Sequence, residues 1–204
     1  MITGIVLAAG SGTRIGCPKA LLRTGRGDES FLERACAALH DSGVDAVMAV
    51  VAPNLADVAV TAMTRVLVND DPGRGQLSSL QVALAVLDPS TEAIVALPVD
   101  VPLVRPDTIR ALVARWRESR PKVVRPVRTL RETQHGHPVV FDRAVFDDLA
   151  HAPLSEGAKP VVHRHASPSG EVTVDEDAGA FTDIDTVEEY VEVFGRLPEA
   201  VSIR

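Results

Sequence analysis

The sequence has little cysteine, no surplus of positive charge and no long apolar run. Two cysteines in 204 residues, Cys17 and Cys36, form neither a disulfide framework nor a metal-binding spacing. They point to reduced thiols in a cytoplasmic protein. The net charge of −7 excludes the basic surface that a nucleic-acid binder carries. It does not exclude small phosphorylated ligands, because a bound divalent cation supplies positive charge of its own. No apolar stretch approaches the roughly 20 residues needed to span a bilayer. No basic region precedes the N-terminal apolar run, as a secretory signal requires. The remaining composition, 46% apolar and 24% charged, is ordinary for a globular chain and sufficient for one domain over residues 1–204.

Three familiar loops are missing too. Gly10, Gly12 and Gly16 are spaced G-x-G-x-x-x-G, not the G-x-G-x-x-G of dinucleotide folds. Gly16 is followed by Cys17, Pro18 and Lys19, which is not the Gly-Lys-Ser/Thr of a P-loop. No serine stands in a G-x-S-x-G nucleophile elbow.

What is present is the stretch 5–22, IVLAAGSGTRIGCPKALL. Residues 5–9 read as a buried strand, short, apolar and closed by glycines. The glycines permit φ > 0 and close approach of backbone amides to a ligand. Successive N–H groups form a concave anion site, to which Arg14 and Lys19 add charge. The plain alternative is an ordinary glycine turn between a strand and a helix.

Strand-like and helix-like segments alternate beyond it. Helical spacing predicts a helix over 30–40 with Ser30 as N-cap, and others over 55–63, 77–87 and 106–117. Residues 44–51, 65–68 and 93–97 read as strands, and Asn69-Asp70-Asp71-Pro72-Gly73 as a turn. Such alternation implies βαβ units and a mostly parallel sheet, with ligands outside the carboxyl ends of the strands. The last third predicts strands over 122–126, 137–141 and 171–174, and helices over 145–149, 158–165 and 187–194.

Several charged residues are candidates for chemistry. Asp100 follows the strand AIVALP and suits Mg²⁺, which takes one or two carboxylates plus substrate phosphates; capping the helix at Pro106 is the alternative. Asp183 and Asp185 share one face if their segment is extended, although Asp185 or Thr186 also suits the cap of the last helix. The pairs His135/His137 and His163/His165 have no cysteine or glutamate to complete a zinc set. Residues 115–131 hold seven basic side chains and one acid, Glu118. A solvated face explains such a run, and contact with an anionic substrate through Arg125 or Arg128 is the other reading.

Taken in order, these segments resemble the MobA-like nucleotidyltransferases, and especially the molybdenum-cofactor cytidylyltransferases. The matching elements are Leu7 to Lys19, Gly75-Gln76-Leu77-Ser78-Ser79-Leu80, Asp100-Val101-Pro102-Leu103, Gly136-His137-Pro138-Val139-Val140-Phe141 and Asp183-Ile184-Asp185-Thr186. The resemblance implies a Rossmann-like, GT-A-like nucleotidyltransferase fold, three layers αβα with a mostly parallel sheet. It implies Mg²⁺-dependent transfer of a nucleotidyl group to a phosphorylated acceptor. Leu7, Ala8, Ala9 and Gly10 would hold base and ribose, and Arg14 and Lys19 the triphosphate. Ser78 and Ser79 would line the nucleotide pocket, and Gly136, His137 and Pro138 the acceptor site. Asp100 would bind Mg²⁺ with Asp185, or with Asp183.

Guanylyl-transferring relatives have a second glycine at Ala9 and lack the Leu-Ser-Ser-Leu helix start, so the resemblance favours CTP. Val99 and Val101 depart from the Gly-Asp-Gln-Pro or Cys-Asp of the cofactor enzymes, which leaves sugar phosphates and phospholactate open beside molybdopterin as acceptor. The implied partners are an NTP, the acceptor, and a molybdoenzyme or a second copy of the chain. The competing class is a non-catalytic nucleotide-binding module of the same fold.

Overall fold

The computed structural model describes residues 1–25, 29–58, 60, 63–130 and 132–200. Among them eight strands form one sheet in the order β3-β2-β1-β4-β7-β5-β6, with β8 beside β5. β1 is Ile2–Ala8, β2 Ala46–Val51, β3 Thr64–Val68 and β4 Ala93–Pro98; these four are mutually parallel. β5 (Val123–Thr129), β6 (Thr133–His135), β7 (Val139–Asp142) and β8 (Glu171–Thr173) complete it. β7 is antiparallel to both β4 and β5, and β6 is antiparallel to β5.

The central strands are apolar without a break because helices cover both faces. Alternation along β1 sends Ile2, Val6 and Ala8 to one core and Ile5 and Leu7 to the other. Helices α1 (Phe31–Asp41), α3 (Pro106–Ser119) and α6 (Val187–Phe194) pack on the first face. Helices α2 (Gln76–Leu84), α4 (Phe146–His151) and α5 (Lys159–His165) pack on the second. The expected three-layer αβα architecture is present.

Local signals behave as their chemistry dictates. Ser30 and Thr186 each accept from the amide three residues on, while Glu33 and Glu189 reach back, so α1 and α6 both open with capping boxes. The predicted helix over 55–63 is absent from its described residues. Pro53–Leu55 makes one 3-10 turn, Leu55 is buried as its anchor, and the chain turns on through Val58; residues 59, 61 and 62 lie outside the described set. β6 is an unpredicted strand, three exposed residues paired only with β5 and without an apolar period to betray it.

Helix α6 is held mainly by Tyr190, whose ring is fully buried between Phe31 and Phe194. Its hydroxyl donates to the Arg23 carbonyl at 2.7 Å. Tyr190→Phe removes only that bond and is expected to cost about 1 kcal/mol. Tyr190→Ala removes the ring and is expected to cost about 3–5 kcal/mol. Urea midpoints followed by circular dichroism read both; equal losses would show that the hydroxyl, not the ring, holds the helix.

Candidate functional site

β1 lies between β2 and β4, so connections leave it in opposite directions and open a crevice beyond its carboxyl end. The glycine loop starts there. Gly12 has φ of 62° and Gly16 φ of 84°. The amides of Ile15 and Gly16 both donate to the Gly12 carbonyl, at 3.0 and 2.9 Å. A Cβ at Gly12 would overlap the Cys17 carbonyl oxygen, so no other residue fits this fold of the loop. Gly10, by contrast, has no positive φ and only open space beside it. Its role is access, not backbone shape.

The loop forms one wall of a cleft of about 440 Å³. Leu7, Ala9, Gly10, Arg14 and Lys19 line it, as do Ser79, Asp100, His137, Asp183 and Asp185. Segments far apart in sequence therefore meet in one place. Four of the expected residues stand elsewhere. Ala8 points into the core with no exposed surface. Ser78 donates to the Gly75 carbonyl at 2.7 Å and accepts from Asn69 at 2.8 Å, which makes it part of the start of α2 and not of the cleft wall. Pro138, joined to His137 by a cis peptide bond, does not line the cleft. Gly136 borders a neighbouring cavity, and a Cβ there would overlap the Ala180 carbonyl oxygen, so packing as well as access requires glycine.

Asp100 does not cap a helix. The amide of Arg105, the residue just before α3, is met instead by Asp177, buried and also bonded to the Thr108 hydroxyl. Asp100 is thus free to face Lys19, whose Nζ donates to its Oδ2 at 3.0 Å. The Ile184 amide donates to the Asp100 carbonyl at 2.8 Å, and the Ile184 side chain is fully buried. Its neighbours Asp183 and Asp185 are consequently turned to the other side, into the cleft. Thr186 takes the α6 cap, leaving the Asp185 carboxylate to accept from Arg14 at 2.7 Å and from Lys19.

The electrostatics follow from this arrangement. Burial disfavours the Lys19 ammonium, but bonds to Asp185 and Asp100 outweigh it and hold its pKa above the usual value. The Lys19 bond, with Arg14 behind it, holds Asp185 below the usual carboxylate range. Asp183 is pushed the other way, by burial first and by Asp100 next. Burial also lowers the pKa of His137 despite the nearby Asp183 and Asp100, and its Nδ1 is buried without a partner among the described residues. Two carboxylates that converge on one cationic atom offer the hard oxygen donors that Mg²⁺ or Mn²⁺ takes. No group of three His, Cys, Asp or Glu side chains forms a complete cage among the described residues, and a metal shared with substrate phosphates does not require one.

Asn69 is the main residue that sequence reasoning missed. It was legible only as turn chemistry, yet it is buried and its amide donates to the hydroxyls of both Ser78 and Ser79, at 2.8 and 3.0 Å. Gly75 and Gln76, at the start of α2, also line the cleft. The basic run 115–131 is mostly a solvated face. Arg120 stacks on Trp116 at 3.9 Å and pairs with Glu92, and Arg128 lies over Phe181; Arg131 is outside the described residues. Arg125 alone of the run turns into the neighbouring cavity. The histidine pairs divide likewise, His135 bonding Glu171 and His165 bonding Asp148.

Because its folded pKa is depressed, Asp185 contributes stability that is present above the ordinary carboxylate pKa of about 3.9. That contribution is lost as pH falls through the lowered value. Asp185→Asn is therefore expected to show a shallower loss of stability below about pH 4 than the parent. Urea midpoints across pH 2.5–6 measure it, and parallel curves would mean that the ion pairs do not persist in solution.

The fold has known counterparts. The structure of Rv0371c from Mycobacterium tuberculosis H37Rv superposes with a TM-score of 0.79 at 30% identity, covering 96% of this chain and 97% of that one. The same protein in complex with manganese gives a TM-score of 0.77 at 28% identity, covering 96% and 99%. Nicotine blue oxidoreductase from Paenarthrobacter nicotinovorans is 29% identical over 194 residues, 92% of this chain and 94% of that protein. The MobA-like NTP transferase domain family matches residues 4–169. By that match and the residues gathered in its cleft, the chain belongs to the MobA-like NTP transferase domain family and is a nucleotidyltransferase.

Proposed function

We propose that the protein transfers CMP from CTP to a phosphorylated small-molecule acceptor such as molybdopterin, releasing pyrophosphate, with Mg²⁺ as its cofactor. It would act as a single domain in the cytoplasm. The observation that carries the reading is the convergence in one cleft of an open glycine loop, two cations and three carboxylates. The choice of CTP rests on Ala9 and Ser79, which both line the cleft, Ser79 with its hydroxyl fixed by Asn69. The manganese complex of the 28%-identical relative supports a divalent ion here as well.

The chemistry is a displacement at the α-phosphorus. An acceptor phosphate oxygen forms the new P–O bond, the bond to the β-phosphate oxygen breaks, and pyrophosphate carries the electron pair away. An acceptor phosphate is ionised at neutral pH, so no general base has to take a proton. Arg14 and Lys19, paired with carboxylates in the free protein, would meet the charge of the triphosphate. Asp100 and Asp185 would hold the metal, with Asp183 beside them. When bound, Mg²⁺ neutralises charge that builds on the phosphate oxygens as the leaving group departs. The remaining work is alignment and exclusion of competing geometries.

A second reading comes from the relative named as an oxidoreductase. A cleft that grips a triphosphate also offers a seat for the pyrophosphate of a nicotinamide dinucleotide. The absent G-x-G-x-x-G spacing speaks against it.

The deciding experiment measures pyrophosphate release from each of the four NTPs with Mg²⁺ and a panel of phosphorylated acceptors including molybdopterin. Release with CTP is expected, and release with GTP instead would overturn the reading of Ala9. Silence with every pair, together with NAD(P)H oxidation, would favour the redox alternative. Silence in both assays with CTP still bound would leave a binding module. Asp100→Ala is expected to lower kcat at least about 100-fold, equivalent to about 2.7 kcal/mol of barrier, with little change in Tm. EDTA is expected to abolish turnover and excess Mg²⁺ to restore it.

A further inference from the structure

A second cavity of about 670 Å³ adjoins the nucleotide cleft, and the two share Leu7, Gly75, Gln76, Pro98 and His137 along their border. A ligand with its phosphate beside His137 can therefore extend its body from the first space into the second. The two ends of this second space differ in character. Its floor is apolar, built from Ala96 on β4, Val139 and Phe141 on β7, and Leu77 and Leu80 on α2. Its far wall is α5, from which Lys159, Val162 and His163 line the space. Their spacing of i, i+3 and i+4 places them on one face of the helix.

The charges in this space are not equivalent. Arg125 and His135 both bond Glu171, so each already has an acidic partner. Lys159 and His163 make no hydrogen bond or ion pair among the described residues, and Glu156 is the one acid in the lining. The cavity thus offers an apolar floor and, at its far side, an ammonium with no fixed counter-charge. A polyol phosphate would find no partner for its hydroxyls on that floor, only at the polar side formed by residues such as Gln76, Ser155 and Glu156. A ligand with an apolar body gains from the same floor.

Resting on the nucleotidyl-transfer reading, we propose that the acceptor is an organic phosphomonoester with an apolar body and a second anionic group at its far end, which Lys159 and His163 recognise. The three-carbon or four-carbon sugar phosphates are then poor acceptors. Lys159 sets specificity at the end of the acceptor that does not react, and takes no part in the displacement itself.

Calorimetry on the full chain tests this with three probes: 6-phosphonooxy-2-naphthoate, 2-naphthyl phosphate and glycerol 3-phosphate. Each is titrated alone and with Mg²⁺ and a non-hydrolysable CTP analogue. The naphthoate is expected to bind at least about 10-fold tighter than either of the others, the scale of a single well-placed charged contact. Lys159→Glu, and to a lesser degree His163→Ala, should remove the difference between the two naphthyl compounds while the CTP analogue binds within about twofold of the parent. Equal binding of glycerol 3-phosphate, or an undiminished naphthoate preference in Lys159→Glu, would overturn the proposal. If the CTP analogue binds and the naphthyl phosphates do not, this inference fails alone. If the analogue does not bind, nucleotidyl transfer fails, and the titrations without nucleotide still decide what the second cavity accepts.

Discussion

One ammonium group holds the site together. Lys19 Nζ sits between Asp100 and Asp185, and through them ties the first loop of the chain to the end of β4 and the start of α6. Each of these segments is fixed by its own backbone. The loop turns on Gly12, Asp100 leaves a fully buried strand, and Asp185 is set by the Ile184 amide on one side and the Thr186 cap on the other. Without Lys19, two carboxylates would face each other across a half-buried space, an arrangement that raises the pKa of one of them. Asp183 is already raised in the same cleft, by burial first and by the Asp100 carboxylate next, and it makes no ion pair among the described residues.

This arrangement would let a glycine loop that matches no standard phosphate motif hold an anion. The P-loop puts its lysine immediately after the last glycine. Here Lys19 arrives two residues later, at the start of a short 3-10 turn, Lys19–Leu21, that seats Ala20 and Leu21 in the core while the Lys19 side chain lines the cleft. The geometry differs and the charge balance is comparable. Two cations face three carboxylates, so a triphosphate brings charge that the protein alone cannot balance. A divalent ion supplies the difference.

The framework was largely legible from the chain because its signals are local. Apolar strands bounded by Pro and Gly, capping boxes at Ser30 and Thr186, and proline at the start of α3 each specify their own segment. The carboxylates Asp100, Asp183 and Asp185 were legible for the same reason, each standing at the end of a readable element. Asn69 was not, because its partners Ser78 and Ser79 lie across a turn whose closure the sequence does not display. Ser78 illustrates the converse. A motif places it beside Ser79, yet helical geometry turns its hydroxyl back to the Gly75 carbonyl. The short strand β6 escaped because three exposed residues carry no periodicity. The predicted helix after Pro53 failed because one proline-seeded turn with a single buried leucine has no second apolar row to continue it.

The bond between Arg14 and Asp185 joins residues 171 positions apart along the chain. A ribosome that has delivered β1 through β7 has therefore supplied the glycine loop, Asp100 and most of the sheet, but not Asp185. Contacts of such sequence separation form late, because the loop they close costs entropy before it returns any energy. Assembly of the charged centre thus waits for the C-terminal third of the chain, and a partly made chain can cover its apolar strands without yet presenting a finished site. Activity becomes a direct report on completion, since the same short segment supplies both the final carboxylate and the cap of the helix that locks it in place.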